Sequence, residues 1–391
     1  LDNTKVLLTE RKIHFFSETF ETELTEKQFT LDTTIAEGDL GKIAMAQFSS
    51  DYGGYILILV NGIMHIFDNS KNLVKKKDIS DGVKGGNIYS LVPYKKEDTT
   101  LYFIITYNGA YSKTFTVEFF SIVLSETDSN IISVLSKNVD ISLNTISYAQ
   151  IGGGGVSCLL MSPISSLGIS NKLLTCFCLI QNLKYIYSTT MNPENNFIEI
   201  TELKSIKENN TLMEDVYSIS SITDPNQERA FIYAVSVHSI TWFKFDFTNK
   251  YSFLGLGDMG SSYTFRNHFY MHHLYYFAQS QEYVLISALQ GCTQYMMIFH
   301  SNYEIKEKGI LDGKDGCYYS KYITLFSQGQ VYSVLTDGGD NDNLYFNNEN
   351  ELIPLDFVVI ETDKPSEAPT DAPTTTPTEA PTDAPTTIPT E

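Results

Sequence analysis

Apolar residues along this chain come in short runs that pair across tight polar turns. The recurring unit is an apolar run, a polar turn or short loop, and a second run rich in Phe and Tyr. It occurs at 5–8 with 12–16, 55–60 with 64–67, 101–106 with 115–120, and 173–179 with 183–187. It returns at 230–237 with 241–245, 283–288 with 295–299, and 331–335 with 344–346. Runs this short, dense in Val, Ile, Tyr, Phe and Thr, predict strands rather than helices. Turn residues include Asn61-Gly62, Gln181-Asn182 and Gln290-Gly291. Asn-Gly suits the two positive φ angles of a type I′ hairpin turn. Inner strands are expected ahead of the hairpins at 42–48, 87–92, 145–151, 215–222, 268–277 and 317–326. Outer strands are expected behind them at 73–79, 131–135 and 197–203. Gly152 to Gly155, four glycines in a row, read as a bend or bulge leading into an apolar strand.

The hairpins are spaced about fifty residues apart, with one longer step between the third and fourth. A period of that size is the range of β-propeller blades, each a four-stranded sheet. The chain therefore resembles the β-propeller superfold. The Trp-Asp dipeptide of WD40 repeats and the double glycine of kelch repeats are both missing, so no named family follows. The expected fold class is all-β: a single β-propeller of about seven four-stranded blades over residues 1–361. The first blade lacks an inner strand ahead of its hairpin. Either residues 356–361 or a segment before Leu1 would supply it.

Residues 362–391 differ in kind. Seven of the twelve prolines fall there, at every fourth position from Pro365 to Pro389, each followed by Ser or Thr. No apolar cluster offsets the entropy of ordering such a segment, so a disordered, extended tail is expected. A Ser/Thr/Pro tract of this type resembles the mucin-like stalks of surface and secreted proteins. On that resemblance Thr370, Thr374, Thr378 and Thr382 are candidate glycosylation positions, and the expected location is extracellular or at the cell surface. Asn209, in the one Asn-x-Ser/Thr sequon, is a further candidate. The chain of 391 residues carries 27 Lys and Arg against 47 Asp and Glu, a net charge of −20. That balance argues against nucleic acid and against anionic membrane surfaces. No apolar run is long enough to span a bilayer, although an anchor beyond residue 391 fits the reading of the tail as a stalk. A monomer is expected.

In a propeller, the loop inside each hairpin and the loop entering the next blade open on one face. Several of these loops are rich in Gly and Asp, which tight turns favour in any case. They place Asp39, Asp81, Asp258, Asp312 and Asp315 as candidate ligand contacts. Asp337, Asp340 and Asp342 alternate with Gly and Asn in the last hairpin loop. They are candidate calcium ligands, lacking the Gly and downstream Glu of an EF-hand loop. No other cofactor is implied. Of five cysteines, Cys158 lies beside a strand carrying Cys176 and Cys178 and could bridge to either. Cys292 and Cys317 fall on one face as a second candidate pair. His268 and His272 lie about 13 Å apart if both are on one strand, too far to share an ion.

The expected function is non-catalytic binding or adhesion to a protein or glycan. Two other readings remain open. The fragment Ser49-Ser50-Asp51-Tyr52-Gly53 is similar to the sialidase Asp-box, which would imply a glycoside-processing enzyme. Such an enzyme needs three arginines around a carboxylate, and Arg11, Arg229 and Arg266 are all this chain has. The third reading is an intracellular scaffold for protein–protein contact with reduced thiols.

Overall fold

The computed structural model describes residues 5–8, 11–16, 28–35, 42–83, 87–108, 114–125, 131–140, 151–162, 171–180, 185–206, 216–224, 228–236, 239–246, 250–258, 272–277, 281–288, 294–302, 304–312, 321–327, 330–336, 344–345, 353–354 and 356–359. These residues form antiparallel sheets in succession along the chain. Blade one holds β1 (Lys5–Leu8), β2 (Lys12–Phe16) and β3 (Gln28–Thr30). Blade two holds β4 (Ile43–Gln47), β5 (Ile56–Val60), β6 (Ile63–Phe67) and β7 (Leu73–Asp78), followed by the single turn α1 (Ser80–Val83). Blade three holds β8 (Ile88–Glu97), β9 (Thr100–Asn108), β10 (Thr114–Val123) and β11 (Ile132–Asp140). Blade four holds β12 (Ile151–Met161), β13 (Leu173–Ile180), β14 (Tyr185–Asn192) and β15 (Ile198–Ile206). Blade five holds β16 (Val216–Thr223), β17 (Arg229–Ser236), β18 (Ser239–Asp246) and β19 (Lys250–Asp258). Blade six holds β20 (His272–Phe277), β21 (Glu282–Ala288), β22 (Gln294–Phe299) and β23 (Ile305–Asp312). Blade seven holds β24 (Lys321–Ser327), β25 (Gln330–Thr336), β26 (Leu344–Tyr345) and β27 (Ile353–Pro354), and β28 (Asp356–Val359) follows. The first strands β4, β8, β12, β16 and β20 pack successively against one another. The fold is a β-propeller.

Strand periodicity explains why the second strands read as unbroken apolar runs. In β5 all five residues are buried, because each face of the blade meets a neighbour. Ile56, Ile58 and Val60 pack with Ile13 and Phe15 of blade one. Leu57 and Leu59 point the other way, into a core shared with Leu101, Phe103 and Ile105 of blade three. Blade three repeats the device in β10. Phe115, Val117 and Phe119 face blade four, whereas Phe120 and Ile122 face blade two. Each fully buried side chain of this size is worth about 1.5–3 kcal/mol. The expected Asn61-Gly62 turn is present, with φ of 50° and 80°.

The described strands depart from the expectations in three places. The first strand described in blade four is Ile151–Met161; of the expected 145–151, all but Ile151 lie outside the described residues. The glycines lie inside it, where five residues advance on β12 for two on β13, between Ile151↔Ile180 and Val156↔Cys178. The bulge lets Gly154 pair in parallel with Ser218 of β16, which fuses blades four and five into an eight-stranded sheet. β19 and β23 were not anticipated at all. Finally, β28 does not close blade one; it adds antiparallel to the outer edge of β23 in blade six.

Candidate functional site

In blades one to six the chain reverses at every strand, so the loops sort onto two faces. The hairpins between second and third strands share a face with the connections to the next blade. The turns between first and second strands, and between third and fourth, share the opposite one. Asp258 is the last residue of β19, in register with Ser239. Asp312 is the last residue of β23, in register with Asp356. Asp258 ends the outermost strand of blade five, and Asp312 ends a fourth strand with only β28 outside it, so both lie toward the perimeter of the hairpin face and do not ring its central channel. Gly257 and Asp258, expected in a loop, still continue the ladder to β18. Asp81 sits in α1, just beyond β7. The Ser80 amide donates to Asp78 Oδ1 at 2.8 Å, and hydrogen bonds from Ser80 hold the Asp78 carboxyl below its usual range. Asp39, Asp315, Asp337, Asp340, Asp342, Asn209, Cys292, Cys317, His268, Arg266 and the tail threonines lie outside the described residues. Among the described residues, no group of three or more His, Cys, Asp and Glu is placed to hold a metal ion.

The cysteine ambiguity resolves through register. Cys158 of β12 stands directly opposite Cys176 of β13, Cα atoms 4.1 Å apart, and the two form a disulfide. Cys178 faces the same core two residues along, on the diagonal. Diagonal neighbours lie about 7–8 Å apart, beyond the Cα separation of about 4.4–6.8 Å that a disulfide spans. Cys178 is a buried free thiol whose pKa burial pushes well up. Around this bridge, side chains tie the first strands together. The Cys158 amide donates to Ser90 Oγ of β8 at 3.2 Å, and Ser157 Oγ meets Ser221 Oγ of β16 at 2.8 Å.

The best-defined polar cluster lies on the opposite face, at the junction of blades three and four. Tyr94 is the extra residue of a bulge in β8, since Pro93 pairs with Phe103 and Lys95 with Tyr102. Lys95 Nζ sits 2.9 Å from Glu97 and 3.3 Å from Glu194, in the turn between β14 and β15. It also lies 5.6 Å and 5.4 Å from the ring centroids of Tyr94 and Tyr102, within cation–π range. Asn171 donates to the other Glu194 oxygen. The Lys95 ammonium pKa is raised, first by its hydrogen bond to Glu97. Burial, then the Glu194 carboxylate, raises that of Tyr94. With Lys95 partly exposed, these pairs orient the loops more than they stabilise the fold. Sequence reading missed the cluster because Lys95 and Glu194 are 99 residues apart.

The arginine arrangement for a sialidase does not form. Arg11 precedes β2 at the hairpin face, because β3 delivers the chain to β4 there. Arg229 opens β17 at the opposite face. The eight residues of β17 span roughly 26 Å, so the two guanidiniums belong to opposite surfaces. The Asp-box-like fragment is a single 3-10 turn over Ser50–Tyr52, closed by Gly53 at φ 86°. Tyr52 donates its amide to Ser49 O at 3.0 Å, and its ring meets Phe48 edge-on.

No family model and no curated protein matches the chain's sequence. Solved structures match in fold. The β-propeller domain of Myceliophteria thermophila Cps50 (Swd1) is 7% identical with a TM-score of 0.50, over 88% of this chain and 99% of that one. The Nup133 β-propeller domain of Vanderwaltozyma polyspora is 11% identical with a TM-score of 0.46, over 86% and 89%. A putative 6-phosphogluconolactonase from Bacteroides uniformis is 10% identical with a TM-score of 0.48, over 88% and 95%. At such identities a likeness speaks to fold alone.

Proposed function

We propose that this chain is a non-catalytic recognition module, displayed outside the cell or at its surface. Its propeller presents the hairpin face to a protein or glycan, and the Thr/Pro-rich tail acts as a spacer. The observation that carries the reading is the direction of β28. Asp356 pairs with Asp312 at the hairpin face, and Val359 pairs with Gly309, further down the blade. At Val359 the chain is therefore running away from the hairpin face. A tail tethered at its far end would leave that face pointing outward, with Asp81, Asp258 and Asp312 on its perimeter.

The test immobilises the full chain through its C-terminus and offers it a broad glycan array, in millimolar calcium and then in EDTA. A triple variant, Asp81→Asn, Asp258→Asn and Asp312→Asn, is run beside it. Selective binding lost in the triple variant supports the hairpin face. Selective binding that the variant leaves intact moves the ligand to another surface. Silence under both conditions removes glycans and turns the search to protein ligands.

A further inference from the structure

The last strands of the chain connect two blades. β27 pairs with β25 of blade seven, Ile353 with Ser333 and Pro354 with Tyr332. One residue later β28 begins, and it pairs with β23 of blade six over four residues, from Asp312↔Asp356 to Gly309↔Val359. In blades two to five the fourth strands β7, β11, β15 and β19 end their sheets. Among the described residues, β23 is the one fourth strand of blades two to six that carries a further strand, and that strand reaches it from blade seven.

We propose that residues 353–359 are a strap that latches blade seven to blade six. While β28 is seated, the outer edge of β23 is covered and β25 is held through β27. Because a single residue joins β27 to β28, neither ladder can open far without loading the other. Unseating β28 would therefore loosen blades six and seven together and leave blades two to four unchanged. Such a latch makes the tail's point of departure part of the fold, since everything beyond Val359 continues from the strap.

Hydrogen exchange read by mass spectrometry on the full chain tests this, with Phe357→Pro and Val358→Pro as separate variants. Alternate residues of a strand direct their amides to the same side, so one of these two consecutive prolines removes a donor to β23. In that variant, exchange should rise about fivefold or more across 309–311 and across 330–336, with 101–107 unchanged. If neither variant alters 309–311, β28 does not protect the edge and the strap is wrong. If 309–311 respond but 330–336 do not, β28 merely covers an edge, and the latch is overturned. Equal loosening of 101–107 would also overturn it, because the effect would then be global.

Discussion

Replacing both Cys158 and Cys176 with Ala removes a covalent loop from the unfolded chain. The bridged residues are 18 apart in sequence. In the chain-entropy description, closing a loop of that length costs the unfolded state about 3 kcal/mol of conformational freedom. The native state should therefore lose about 3 kcal/mol when the bridge is absent, roughly two powers of ten in the folding equilibrium. The bridge is fully inside the protein, with Cys158 at 7% exposure and Cys176 at 0%, so truncation to Ala adds a small packing loss. Comparing three forms separates the contributions: oxidised, reduced and doubly substituted. Urea unfolding can be followed by the fluorescence of Trp242, the one tryptophan, buried in β18 of blade five. Far-UV circular dichroism should be recorded alongside, since a single free energy requires that both probes coincide. The reduced form should lie below the oxidised one by about 3 kcal/mol, and the Ala form at or slightly below the reduced one. Coincident curves for oxidised and reduced protein would refute the loop argument. A peptide map joining Cys158 to Cys178 would refute the register itself.

His65 supplies a pH-dependent prediction. It is buried beside Phe29, ring centroids 5.4 Å apart, and neither ring nitrogen makes a well-aligned hydrogen bond. Burial lowers its pKa, and nearby backbone groups of Ile58 and Ile63 only partly oppose that. The unfolded chain therefore takes up the proton first as pH falls below about 6.5, and the folded state loses stability on that side. His65→Phe should flatten the dependence just below pH 6.5; an unchanged slope in the urea midpoint against pH would contradict this. Gly62→Ala tests the turn. Gly62 has φ of 80°, and a Cβ there would stand 2.9 Å from Ser80 Cβ, so a loss of about 1–2 kcal/mol is expected in the same urea assay.

What sequence alone made legible follows from which strands carry a strong signal. Second and third strands are buried between blades, and their runs at 55–60 or 115–120 lie close to the observed β5 and β10. Outer strands face solvent on one edge. β23 reads Ile-Lys-Glu-Lys-Gly-Ile-Leu-Asp and β19 is interrupted by Gly255 and Gly257, so neither shows an apolar run. The glycines before Val156 read as a bend or bulge and a bulge is there, but local pattern does not show that Gly154 pairs with Ser218 of β16. Pairing partners were the least legible. Phe357 and its neighbours plainly form a strand, but local pattern does not say which edge receives it. The same holds for the site: Cys158 had two candidate partners until register chose one, and Lys95 meets Glu194 only through the packing of separate blades.

The Gly154–Ser218 pairing carries a consequence for how the protein comes apart. Elsewhere along β4 to β19, neighbouring blades meet through side chains, and each can loosen with only packing lost at its flanks. Across this seam the hydrogen-bonded ladder is continuous from β15 to β19. The Gly154–Ser218 backbone pair should therefore couple the opening of blades four and five. Substitutions in β13 and β17 should be non-additive although they belong to different repeats, whereas pairs of the same size in β5 and β17 should simply add.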